Sequence, residues 1–128
     1  MRRGALALIL ALALVVSVRG NALAASSEEL SGLSNREYVD YVHDRFEWLN
    51  GEARSSHRLA VKFHRQCKPE NGDPDAARAC EIAKAADEHS DETLQEGRDL
   101  MEGLQHRLGG VPAWAVSADT DLKASAGK

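Results

Sequence analysis

Apolar residues recur at alternating steps of three and four through Val42, Phe46, Leu49, Ala53, Ala60, Phe63 and Cys67, with Ser56 filling the one interrupted place. That spacing marks one face of an α-helix. Just before it, Ser34-Asn35-Arg36-Glu37 has the form of a capping box, with Ser34 as N-cap and Glu37 reaching back to it. The pattern predicts one long helix over residues 35–67. Gly51 is a weak point inside it, costing about 1 kcal/mol against alanine.

Lys68 to Asp73 reads Lys-Pro-Glu-Asn-Gly-Asp, a concentrated turn signal. Asp73 is placed to cap a second helix, with Pro74 at its first position, where a missing N–H does no harm. The second stripe runs Cys80, Ala83, Ala86 or Asp87, Ser90, Leu94, Gly97, Met101, Leu104 and Leu108, and Gly109-Gly110 ends it.

Folding the chain back over residues 68–73 sets Cys67 opposite Cys80, as a disulfide requires. In that register Ala53 faces Leu94, Leu49 faces Gly97 or Arg98, and Phe46 falls opposite Met101. Charge agrees with the pairing. Arg54, Arg58, Lys62, Arg65 and Lys68 form a run without acids, and the counterpart carries Glu81, Asp87, Glu88, Asp91 and Glu92 against Lys84 alone. Each exposed pair of this kind contributes only about 0–1 kcal/mol.

Tyr38, Tyr41 and Trp48 lie mostly off the first stripe and form a second apolar strip near the open end. A short helix from 26–33 or 111–118 covers it, or another chain does. Beyond Val111 the composition is small and polar; Trp114 is expected to dock back or bind something, and the chain beyond Ser117 to be disordered.

The first residues follow a different pattern. Arg2 and Arg3 precede an uninterrupted small and apolar run from Ala5 to Val18, and Ala22-Leu23-Ala24 is a small-x-small cleavage site. This order is that of a secretory signal peptide. The apolar run falls short of the roughly 20 residues that span a bilayer. Without residues 1–24 the chain carries 13 basic and 20 acidic residues and is poor in large aliphatic side chains. That excludes a multidomain enzyme, a polytopic membrane protein and a basic nucleic-acid binder. The two cysteines, in an oxidising compartment, read as one structural disulfide; their spacing fits neither C-x-x-C nor a zinc site.

The expected fold is all-α: an antiparallel two-helix hairpin stapled by Cys67–Cys80, with short extra helices or dimerised into a four-helix bundle. Its organisation is a signal peptide over 1–24, a lead-in over 25–33, the hairpin over 34–110 and a largely disordered tail over 111–128.

Five histidines carry the candidate chemistry. The register pairs His57 with His89 and His43 with His106, and brings His64 toward Asp87. Imidazoles and carboxylates converging from two helices can hold zinc or copper. Against that, no HExxH or His-x₃-His arrangement occurs, and the acidic-x-x-His unit Asp40–His43 has no second copy. No nucleophile–base pair, phosphate loop, haem-attachment or EF-hand motif is present, so no enzyme activity and no cofactor are expected. The leading expectation is an exported, periplasmic or extracellular protein-interaction module that binds a protein partner or itself as a homodimer. Tyr38, Tyr41, Trp48 and Trp114 are its contact residues, because aromatic anchors dominate interfaces. No nucleic-acid partner and no lasting membrane anchor are expected. The alternative is a zinc- or copper-binding helical bundle using His43, His57, His64, His89 and His106. A third possibility is a chaperone-like accessory responsive to pH.

Overall fold

The computed structural model describes residues 24–68 and 72–128, and these are helical, with no strand among them. The expected signal segment lies outside the described residues, apart from Ala24. Among the described residues, those before Ser34 belong to a unit separate from Ser34–Lys128. Within the first unit, α1 is the short helix Ser27–Ser31, whose N-cap Ser26 accepts a hydrogen bond from the Glu29 N–H.

The second unit holds α2 (Asn35–Gln66), α3 (Pro74–Leu108) and α4 (Ala113–Ser125). At the start of α2 both halves of the capping box are present: the Glu37 N–H donates to Ser34 Oγ and the Ser34 N–H donates to Glu37 Oε1. The Ser34 N–H, and secondarily the Ser34 hydroxyl, hold the Glu37 carboxyl below the usual carboxylate range. The helix stops one residue before Cys67, whose backbone is extended. Asp73 caps α3 by accepting from the Asp75 N–H, with Pro74 at the first position. At the far end Gly109 takes the left-handed conformation (φ 73°) that closes a helix, where a side chain would be strained. Cys67 and Cys80 are joined across the fold-back, with Cα atoms 4.7 Å apart.

The core follows the expected stripes over their middle, whereas Phe63 and Met101 are only half-buried and Leu108 is exposed. On α2 Val42, Phe46, Leu49, Ala53, Ser56 and Ala60 are buried, and on α3 Ala83, Ala86, Ser90, Leu94, Gly97 and Leu104. Periodicity alone did not yield Arg45, Thr93 and Leu100, which are also buried. The Thr93 hydroxyl is satisfied by donating to the Ser90 carbonyl at 2.7 Å.

Residues of α2 and α3 meet in reverse order, but shifted by about one helical turn from the expected pairing. Phe46 lies against Gly97, one turn before the expected Met101, and the Tyr38 hydroxyl lies against Gly103. The physical reason is space. Two aromatic rings settle over positions that have no Cβ, and Cys67, being outside the helix, fixes the fold-back without fixing the register beyond it.

The tail is the main correction. Residues expected to be disordered form α4, which packs on both α2 and α3. Pro112 stands at its N-cap, and Ala115, Leu122 and Ala126 are buried. Their spacing of seven and four is one helical face. The helix runs in the same direction as α2: Trp114 lies beside His43, Ser125 hydrogen-bonds Asn50, and Gly127 meets the His57 ring.

The expected cross-helix pairing of charges is corrected as well. Among the described residues no ion pair joins Arg54, Arg58, Lys62, Arg65 or Lys68 to an acid. Glu81, Glu88 and Glu92 occupy the side of α3 opposite its buried stripe and so look away from α2.

Candidate functional site

Where α4 lies along α2, their facing side chains leave a cleft of about 530 Å³. His43, Phe46, Glu47 and Asn50 line it from α2, and Trp114, Ser117, Ala118 and Asp121 from α4. The α2 residues recur at three- and four-residue steps, which places them on one face. The Trp114 ring is half-buried, tilted against the His43 imidazole with centroids 5.3 Å apart. At the rim His43, Asp44 and Glu47 can each offer a ligand atom, all within 4.8 Å of one another, and all three are exposed. The cleft thus joins an aromatic wall to an imidazole and carboxylates.

The four expected contact residues do not form one patch. Tyr38 is buried at 5% exposure under the guanidinium of Arg107, which lies 4.7 Å from its ring centroid. This corrects its assignment to the surface: the ring fills core space above Gly103. Burial pushes the Tyr38 phenol up, a rise that nearby Arg107 opposes. Tyr41 and Trp48 are half-buried and seven residues apart on one face of α2, and neither lines the cleft. Trp114 alone of the four does so.

Between Tyr41 and Trp48 stands Arg45, a residue that sequence reasoning missed. Its guanidinium stacks 4.2 Å from the Trp48 ring centroid and makes a two-pronged pair with the Glu96 carboxylate. Those hydrogen bonds to Glu96 raise the arginine pKa further, against the opposing effect of burial. The available signal was its position three residues after Val42 and four before Leu49, on the edge of the apolar stripe.

The histidines are distributed rather than gathered. His64 Nε2 lies 2.7 Å from Asp87, as expected. The shift in register carries His89 away from the expected partner His57 and sets it 3.0 Å from Glu52, with Glu92 at 3.7 Å. The His57 ring instead faces Gly127, and His43 faces Trp114 rather than His106. His106 is exposed. Of the five expected ligands, only His43 belongs to a cluster of three ligating groups among the described residues. No family model, curated protein or solved structure matches this chain.

Proposed function

We propose that the chain is an exported, non-catalytic protein-interaction module, built as a disulfide-stapled helical hairpin with α4 laid against it. The observation that carries the reading is the α2–α4 cleft with the half-buried Trp114 in its wall. A partner's apolar side chain entering there completes the burial of the indole while His43, Glu47 and Asp121 supply a polar rim, the usual division of labour at an interface. Tyr41 and Trp48 offer a second aromatic contact on another side of α2. Export is supported by the N-terminal pattern, by the Cys67–Cys80 pair, and by the fact that no helix among the described residues is long and apolar enough to cross a membrane.

The test is partner capture from the native compartment with wild type, Trp114→Ala, and Tyr41→Ala combined with Trp48→Ala. Loss of the same partner in the first variant supports the cleft, and loss in the second supports the other strip. Full retention of every partner by both variants would remove this reading. The N-terminus of the recovered protein tests export, with Ala25 as the expected first residue.

A second reading, a zinc or copper site, is favoured by one observation: the convergence of His43, Asp44 and Glu47. On this reading the ligands are His43, Asp44 and Glu47, with one histidine in place of five. Calorimetric titration of tag-free protein should then give one site that His43→Ala removes. Stoichiometric binding that survives His43→Ala would sink the assignment.

A further inference from the structure

α4 covers its face of α2 only as far as His57, where Gly127 meets the imidazole. Past that point an adjoining side of α2 is open, with His57, Arg58, Val61, Lys62, Arg65 and Gln66 around a groove of about 560 Å³. Arg54, Arg58, Val61 and Arg65 recur along it at steps of four and three, and Val61 is 38% exposed. On α3, Glu81, Ala85, Glu88 and Glu92 recur with the same steps and are all exposed. The two stripes are of similar length, opposite in sign and unsatisfied by each other within the chain, because the acidic one faces away from α2. Small Ala85 stands at the middle of the acidic stripe, where it admits close approach to Val61.

We propose that these stripes are the two halves of a head-to-tail contact between copies of this chain. The acidic outer face of α3 from one copy docks in the basic groove of α2 on the next, where it extends the helical covering that α4 ends at His57. Because the two stripes lie on different helices and face different ways, each contact leaves one stripe of either sign open on the pair. The contact is therefore heterologous and propagates into a ring or an open array. This goes beyond the aromatic cleft and does not use it, so the two readings fail separately. Exposed ion pairs are individually weak and screened by salt, so the association is concentration-dependent and salt-sensitive.

The test is sedimentation velocity on the full chain as the cell processes it, with wild type, Arg58→Glu/Arg65→Glu, Glu81→Lys/Glu88→Lys, and an equimolar mixture of the two variants. All four changed positions are exposed, and circular dichroism checks that each variant keeps its helices. Wild type should associate at low salt and dissociate toward monomer near 0.5 M sodium chloride, roughly a Debye length of a few Å. Each charge-reversed variant alone should associate about a hundredfold more weakly, since like charges then face each other. The mixture should regain association, because each reversed stripe then meets its opposite. Trp114→Ala should associate as wild type does. A monomeric wild type at low salt, variants that still associate alone, or a mixture that stays monomeric would each overturn the proposal.

Discussion

Leu122 of α4 lies directly over Gly97 of α3: a Cβ built on Gly97 would come 2.5 Å from Leu122 Cδ2. Leu122 has no exposed surface, so its methyl group has no open direction in which to move. Gly97→Ala should therefore destabilise the fold by about 1–3 kcal/mol through overpacking, despite alanine's better helix propensity. Gly51 is the contrast. A Cβ there meets nothing within 4 Å, so Gly51→Ala should stabilise by about 0.5–1 kcal/mol. Thermal melts of the two variants should move in opposite directions. If Gly97→Ala melts above wild type, α4 does not pack on α3 in this way.

Helix limits, caps and the cysteine pair were legible in the sequence because each is written in a few adjacent residues: Ser34 with Glu37, Asp73 with Pro74, Gly109. The buried stripes were legible because periodicity is local too. Register was not, since it depends on which glycine accepts which ring, and Tyr38 over Gly103 is a contact between residues 65 positions apart. That contact also turned a proposed surface aromatic into a core residue. A short helix over 111–118 was one expectation, but the continuation of α4 beyond Ser117 was missed because its buried face is made chiefly of alanine, Ala115 and Ala126 flanking Leu122, a composition that resembles a disordered tail until the spacing is counted. The candidate cleft depends on α4, so of its lining only His43, Phe46 and Trp114 had been singled out, and not as neighbours.

Tyr38 makes the fold sensitive to alkaline pH. Burial raises its phenol above the ordinary value of 10.0, with Arg107 opposing the rise. The folded state thus holds this proton more tightly than the unfolded chain does. The resulting stability is fully present below pH 10 and is lost as pH climbs through the folded-state value. Melts should show a decline in stability above pH 10 that is smaller in Tyr38→Phe. An identical decline in both proteins would exclude Tyr38 as its source.

Arg45 and Glu96 should differ in what their loss costs. Arg45 is 5% exposed, whereas the Glu96 side chain is 25% exposed. Glu96→Gln removes the two-pronged carboxylate from a buried guanidinium, an expected loss of about 3 kcal/mol. Arg45→Met keeps an alkyl chain against Trp48 and lets Glu96 turn toward water, for a loss of about 1 kcal/mol. Urea unfolding gives the order directly. The same order reversed would mean that Glu96, not Arg45, is the charge held out of water.

The Cys67–Cys80 bond joins residues 13 positions apart in sequence, at the end of the unit that α4 does not reach. Neighbouring buried residues there are alanines, Ala60, Ala76, Ala79 and Ala83, so little apolar area holds α2 to α3. Cys67→Ser with Cys80→Ser should therefore cost about 3 kcal/mol, the loop-closure value for this length. The loss should also be uneven. Amide exchange should rise first across residues 58–66 and 74–86, while the segment under α4, around Leu49, Gly97 and Leu122, keeps its protection until global unfolding. Reduction of the wild-type protein should reproduce the same pattern. Uniform loss of protection along α2 would show instead that the disulfide end and the α4 end unfold as one cooperative unit.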